Sequence, residues 1–527
     1  MRKNREIWAA DSETDPFKAG RIPKPFIWGA YNGEVYEQFE TTAEFVDFIS
    51  ERDCIVYAHN GGKFDWHFLI DKLEPFGELM IIAGRLAKFK IGKAEFRDSY
   101  NILPIPLAAY QKDEIDYTLF EEEERYKPEN WNAICKYLKA DCVYLYDLIK
   151  EFHARYGVRL TLAGSALKTW EKIADTKAPK TSAMFYESLA PYYFGGRVQA
   201  FRVGEINAPF QVIDINSAYP YAMKHKHPYG EAYSTFDELP DNDDDLSRCF
   251  VTLTARSCGA FPYREKNGLS FPNDGEIREF NVSGWEYIAA RDGYALKDSE
   301  VIKVQVFADT IDFNSYIDHF YTMKSEAKES GDKAGYIFAK LFLNSLYGKF
   351  GSNPEKYDEF MVVEPCFIDA AEEDGYAFSA ELGDWALVTR DLPEEKQRYY
   401  NVAVAASITG FVRAYLYKAM RQCTGLIYCD TDSIAAESFE GIELDPEKLG
   451  AWDVEAVCEY GAVAGKKLYA FKDVNGSWKT ASKGVRLSAE EIVRVAKGEE
   501  IVHTPINPSF SMKRGTGFIS RTIRANG

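Results

Sequence analysis

The chain has 527 residues, 46% of them hydrophobic and 15% aromatic, and 63 basic against 82 acidic side chains give a net charge of −19. That length and composition fit roughly two to four domains with full-sized cores and exclude wholesale disorder. No apolar run approaches the roughly 18 residues of a spanning helix, and the charged start MRKNREIW is not a secretory leader, so neither a signal peptide nor a membrane anchor is expected. Nine cysteines without a CxxC pair fit a reduced, cytoplasmic setting better than a disulfide framework or a zinc site.

In chain order, residues 1–155 alternate short apolar runs with helical periodicity and end in the helical stretch NAICKYLKADCVYLYDLIKEF, the pattern of an α/β domain. From about residue 190 a strand-rich section begins, in which QVIDINSAYP reads as a strand running into a turn. Residues 321–350 read as one or two lysine-bearing helices, and residues 352–399 as a polar, acidic and irregular insertion. NVAVAASITGFVRAYLYKAMRQ is a further helix, and GLIYCDTDSIAAES is a hairpin with DTD at its tip. The acidic runs at 121–124 and 241–245 are solvated loops, whereas the segment SMKRGTGFISRTIR is basic. Net charge therefore does not decide between a nucleic-acid partner and none.

Three constellations carry chemistry. Asp430 and Asp432 in YCDTDSI lie two residues apart, so on a tight hairpin they share a face. Such a pair is either a turn, which Asp and Ser favour, or a site where a divalent cation offsets the repulsion. Asp214 in VIDINSAYP ends an apolar strand; it is a strand cap, or the third carboxylate of a cage for two magnesium ions about 3.5–4 Å apart. In KLFLNSLYGKFG, Lys340, Asn344, Tyr347 and Gly348 fall at i, i+4, i+7 and i+8, one face of a continuous helix. Lysine there suits a triphosphate and Tyr347 a base or sugar, although an ordinary amphipathic helix has the same spacing.

In that order the three resemble motifs A, B and C of family B DNA polymerases: DINSAYP against DxxSLYP, KLFLNSLYG against KxxxNSxYG, and YCDTDS against YxDTDS. Ala218 stands where motif A usually has leucine. AADSETD (Asp11, Glu13), HNGGKFD (Asn60, Phe64, Asp65) and YLKAD (Tyr137, Asp141) likewise resemble the three motifs of a DEDD-type 3′–5′ exonuclease. The resemblance implies a ribonuclease-H-like α/β exonuclease domain followed by an α+β right-hand polymerase of palm, fingers and thumb. In the exonuclease, Asp11, Glu13, Asp65 and Asp141 would hold two metal ions while Tyr137 orients the attacking water. In the polymerase, Asp214, Asp430, Asp432 and the Ile215 carbonyl would hold two Mg²⁺ or Mn²⁺ ions, and Lys328, Lys340, Asn344, Tyr347 and Tyr219 the incoming nucleotide.

The branch it resembles is the protein-primed, phage-type one. YYFGGR is similar to that branch's YxGG motif and supplies Tyr193, Gly195 and Gly196 as template contacts, with a tight turn as the plainer reading. KKLYAF is similar to its KxY motif, placing Lys467 and Tyr469 at the primer end. Thr14, Asn60, Phe64 and Ser99 match exonuclease positions that hold a single strand, although Tyr100 follows Ser99 where leucine is usual, and Ser217 joins the DNA contacts. QKDEIDY implies a catalytic Lys112, with Glu114 beside it as a further ligand.

The expected layout is exonuclease 1–155, linker and palm 156–260, a first insertion 261–320, fingers 321–351, a second insertion 352–399, palm 400–474 and thumb 475–527. The partners implied are a DNA primer-template, dNTPs and a terminal priming protein. No membrane partner is expected, and the expected form is a monomer in the cytoplasm, the host's if viral. Two other readings stay open: a nucleic-acid-primed polymerase of the same family, and an exonuclease whose second half only grips DNA.

Overall fold

The computed structural model describes residues 5–178, 180–266 and 268–525. β1 (Glu6–Thr14) buries Trp8, Ala9 and Ala10 in succession, so both faces of its sheet are covered. Trp8 and Ala10 belong to one core and Ala9 to another. β2 (Pro25–Tyr31) and β3 (Tyr36–Phe39) follow as antiparallel neighbours, while β4 (Cys54–Ala58) runs parallel to β1. β5 (Glu78–Ile82), β6 (Arg85–Ile91) and β7 (Ala94–Asp98) complete the order β5-β6-β7-β4-β1-β2-β3, with β7 parallel to β4. The helix Pro128–Tyr156 starts with proline at its first position, where no backbone donor is needed, and buries Tyr137, Leu138, Asp141 and Cys142 against β1 and β2.

The segment 352–399 is not irregular. Its strands Asp358–Val363, Ala377–Leu382 and Trp385–Asp391 extend the N-terminal sheet to ten strands. The junction is antiparallel pairing of Phe360 with Leu79 and of Met361 with Glu78. Both faces of these strands are covered: Phe360, Val362 and Leu387 join the core of the N-terminal sheet, and Val363, Ala386 and Val388 form a small core of their own on the other side.

A second, eight-stranded antiparallel sheet carries Asp214 and the DTD turn. Its order is Trp478–Ser482, Leu468–Asp473, Trp452–Gly465, Phe210–Ile215, Ser433–Phe439, Cys423–Asp430 and Val198–Ala200, with Gly204–Ile206 paired to Trp452–Gly465 as the eighth strand. Helix Val402–Met420, mostly apolar, is buried along almost its whole length, and its one buried charge, Arg413, pairs with Glu286 at 2.7 Å. A separate four-stranded sheet from His227 to Ile311 lies between the Asp214 strand and the lysine helices in sequence.

The lysine section is three helices. Asn314–Ser330 ends at Gly331 with φ +76°, and Lys333–Leu343 begins where Asp332 accepts from Gly335 N at 2.8 Å. The second helix stops at Asn344, whose side-chain amide donates back to the Lys340 carbonyl at 3.0 Å, and a separate turn holds Tyr347–Phe350. Lys340 and Asn344 therefore share no continuous helical face with Tyr347 and Gly348. Phe338 and Phe342 pack on Phe152 of the N-terminal domain's long helix, joining the two halves through one core.

Candidate active sites

In the N-terminal domain, Asp11 and Glu13 come from the end of β1, Asp65 from the helical turn Asp65–Lys72, and Tyr137 and Asp141 from the long helix. All five line one cavity of roughly 410 Å³, together with Asn60, Phe64 and Lys112. Ser12 Oγ donates to Asp65 Oδ1 at 2.6 Å, and Lys112 Nζ stands 3.5 Å from Asp141 Oδ2. The Tyr137 and Tyr117 hydroxyls are 3.1 Å apart.

Burial and mutual repulsion hold Asp11 and Glu13 well above the usual carboxylate range, and burial lifts Asp65 to about 6 and raises Asp141. Burial works against the charge on Lys112, but Asp141, Tyr117 and Asp11 outweigh it and raise its pKa. Glu13 Oε1 and Asp141 Oδ1 are buried without a hydrogen-bond partner. Four crowded carboxylates with orphaned oxygens, and no thiol among them, fit hard divalent ions. Among the described residues no three His, Cys, Asp or Glu side chains already close on a common centre, so these carboxylates face one cleft without forming a finished cage.

Of the expected strand contacts, Asn60 and Phe64 reach this cavity. Thr14 ends β1, half-buried, with its hydroxyl on the Asp15 carbonyl. Ser99 is fully buried, and its hydroxyl bonds His59 Nδ1 at 3.0 Å and the Ala58 carbonyl at 3.2 Å, so it orients His59 instead of meeting a strand. Glu114 is exposed and does not line the cavity. Phe17, His59, Lys63, Tyr117 and Phe510 line it unexpectedly. Phe510, from the hairpin Ser509–Ser511/Gly515–Gly517, packs its ring 5.3 Å from Phe64.

In the second sheet, Asp214 lies opposite Ser433 across adjacent strands, and Ile215 N donates to the Asp432 carbonyl at 2.9 Å. Asp214 and the DTD turn are thereby locked side by side. Thr431 takes φ +61°, a costly conformation for a β-branched residue, held by its N–H on the Arg197 carbonyl at 2.6 Å. Burial and its neighbours, Asp432 first, push Asp214 up to about 7; burial and Asp430 push Asp432 to about 6. The same crowding argument favours divalent cations here. Lys467 Nζ pairs with Asp430 Oδ1 at 2.8 Å while its N–H donates to Tyr428 OH at 2.7 Å, and Tyr469 packs on Tyr428 at 4.8 Å.

Tyr219, on the short helix after Ser217, stacks on Tyr347 with centroids 4.1 Å apart and planes within 3°. Lys328 and Lys340 are exposed on adjacent helices, and together with burial they lower the pKa of Lys324 between them. Lys324, four residues before Lys328, is the third member of this cationic patch; the spacing alone places both on one helical face. Glu455, paired with Lys479, raises the pKa of both Asp214 and Asp432 and has no signal of its own in the sequence.

The two glycines of YYFGGR differ. A Cβ on Gly195 meets nothing within 4 Å, whereas one on Gly196 comes within 2.8 Å of Thr431 Cγ2. Gly195 leaves open space on its Cα side, while its carbonyl accepts from Arg413 Nη1 at 2.9 Å; Gly196 permits the loop to touch the DTD turn. Tyr193 in turn fills the space over Gly351, just past the motif B turn.

The family model for DNA polymerase type B, organellar and viral, matches residues 103–421. The DNA-directed DNA polymerase of Enterobacteria phage PRD1 is 38% identical over 98% of this chain and 98% of its own. The DNA polymerase of Bacillus phage phi29 is 26% identical over 90% of this chain and 88% of its own. A structure of Phi29 DNA polymerase complexed with primer-template DNA and incoming nucleotide superposes over all of both chains, with a TM-score of 0.75 at 21% identity. That likeness establishes the multidomain polymerase fold expected above, and the chain belongs to the organellar and viral type B DNA polymerases.

Proposed function

We propose that this DNA-directed DNA polymerase replicates a phage or mobile-element genome, proofreads with its own 3′–5′ exonuclease, starts on a terminal protein and displaces the opposite strand as it advances. The observation that carries the synthetic reading is the bond from Ile215 N to the Asp432 carbonyl, which sets the carboxylates of two separate strands at one point. Divalent ions held there, Mg²⁺ in the cell, would lower the pKa of the attacking hydroxyl and offset charge on the leaving phosphates.

The chain's own groups do the rest. Asp214, Asp430 and Asp432, with the Ile215 carbonyl, would hold the ions. Lys467 fixes Asp430 and reaches toward the primer end. Lys324, Lys328 and Lys340 receive the triphosphate, and Asn344 is on the same side of the helix break. Tyr219, backed by Tyr347, forms the floor under the sugar and excludes a 2′-hydroxyl. The primer 3′-oxygen bonds to the α-phosphorus as the bond to pyrophosphate breaks. Tyr193, Gly195 and Ser217 guide the DNA, and Tyr469 supports the primer strand.

In the N-terminal cleft, Asp11, Glu13, Asp65 and Asp141 would hold the ions, while Tyr137, restrained by Tyr117, and Lys112 orient the water that cleaves the last phosphodiester. Asn60 and Phe64 grip the unpaired end, and Thr14 borders it. The domain layout expected above remains our reading, with 352–399 attached to the exonuclease sheet. A monomer working in the host cytoplasm fits these features, and no helix among the described residues is long and apolar enough to cross a membrane.

A priming assay tests the proposal. Purified enzyme, template and labelled dNTPs are combined with and without the candidate terminal protein. Nucleotide linked covalently to that protein supports protein priming; extension of an oligonucleotide primer alone returns the enzyme to nucleic-acid priming.

A further inference from the structure

We propose that Arg85 is a positioning residue for the single-strand grip of the exonuclease cleft, acting by holding the side chain of Asn60; this rests on the exonuclease reading above. Arg85 opens β6 and does not itself line the cavity. Its guanidinium is spread over three partners. Nη2 donates to Asn60 Oδ1, Nε donates to Asp98 Oδ2 at 3.1 Å, and the flat face lies 4.1 Å from the centroid of the Tyr100 ring.

Each partner is fixed in turn. Asp98 is fully buried, and its other oxygen accepts from Tyr100 N at 3.0 Å, which pins Tyr100 over the arginine. Asn60 adopts the left-handed region at φ +63° and projects its amide from a tight turn whose next residues are glycines. Gly62 is needed there because a Cβ would approach Asp98 Oδ2 to 2.7 Å. With Oδ1 occupied by Arg85, the Asn60 amide is oriented with its NH₂ group available to the cavity, where it serves as a donor to a phosphate or base oxygen of an unpaired strand. A free asparagine rotates through both orientations, and one of them presents an acceptor that phosphate rejects.

This geometry also gives Tyr100 a role that an aliphatic side chain would not fill. Leucine lacks a π-face for the guanidinium, so tyrosine adds a cation–π contact to the clamp. Lysine cannot replace Arg85, because a single ammonium does not span Asn60 and Asp98 with planar fork geometry.

The test measures steady-state 3′-end hydrolysis of a single-stranded oligodeoxynucleotide by wild type, Arg85→Lys, Arg85→Gln, Tyr100→Leu, Asn60→Ala and the Arg85→Gln/Asn60→Ala double variant. Melting temperature and primer extension are recorded for each. We expect both Arg85 variants to raise KM about tenfold with kcat within about twofold. Tyr100→Leu gives a smaller rise, and the double variant is no worse than Asn60→Ala alone. Wild-type KM in Arg85→Gln, or additive defects in the double variant, overturns the inference. A KM rise accompanied by lost melting temperature and lost extension overturns it as well, since it marks a structural role. If wild type hydrolyses no 3′ ends, the exonuclease reading itself falls and takes the inference with it.

Discussion

Gly196 and Thr431 touch: a methyl group on the glycine would sit 2.8 Å from the threonine's Cγ2. The loop between the two catalytic halves is therefore in van der Waals contact with the residue that separates Asp430 from Asp432. Gly196→Ala forces Thr431 out of its φ +61° position and misaligns both carboxylates. Primer extension falls by about 10²-fold while single-strand hydrolysis stays within about threefold of wild type. Gly195→Ala, with open space around it, leaves the turn intact and weakens template binding instead.

Separate carboxylate sets predict separable losses. Asp432→Ala abolishes incorporation of labelled dNTP and keeps 3′-end hydrolysis; Asp11→Ala does the reverse. Each pair of activities is measured on one folded preparation. Joint loss in either variant refutes two independent sites.

Tyr219 and Tyr347 form one stacked unit, so they predict linked phenotypes. Tyr219→Val opens space beneath the sugar and raises the ribonucleotide-to-deoxyribonucleotide ratio of kcat/KM by at least about tenfold. Tyr347→Ala removes the supporting ring and produces the same shift more weakly.

The raised carboxylates give a pH signature. With folded values near 7 for Asp214 and near 6 for Asp432, the folded chain binds protons that the unfolded chain has already released between about pH 4 and 7. Their stabilising contribution in chelator is thus complete at low pH and is lost as pH rises through 6 and 7. Asp214→Asn in EDTA melts roughly 2–4 °C above wild type at pH 8, and the gap closes toward pH 5. Mn²⁺ reverses the order at pH 8, since the variant has lost a ligand. A constant difference across this pH range contradicts the linkage.

The carboxylate strands were legible because their signal is local. An apolar run ending in Asp214 and a hairpin tipped by DTD each need only a few neighbouring residues, and both form as expected. The three exonuclease motifs likewise meet in one cavity. The helix break after Leu343 was hidden, because apolar periodicity continues through it and the helix ends on side-chain return bonds, Asn344 to the Lys340 carbonyl and Ser345 to the Leu341 carbonyl. Phe510 and the strands of 352–399 were hidden for another reason. Phe510 meets Phe64, and Asp358–Val363 joins Glu78–Ile82, each across hundreds of residues; composition describes how a segment meets water, not which distant edge it joins.

That distant pairing has a consequence for how the protein is made. Met361 leaves the ribosome about 280 residues after Glu78, the residue it pairs with. At about 5–20 residues per second, the nascent N-terminal domain waits roughly a quarter of a minute to a minute with the apolar strand ELMII as an open sheet edge. Unpaired edges of this kind template association between chains. An N-terminal fragment ending near residue 155 keeps that edge permanently, so it is the form of this protein most prone to aggregate during expression.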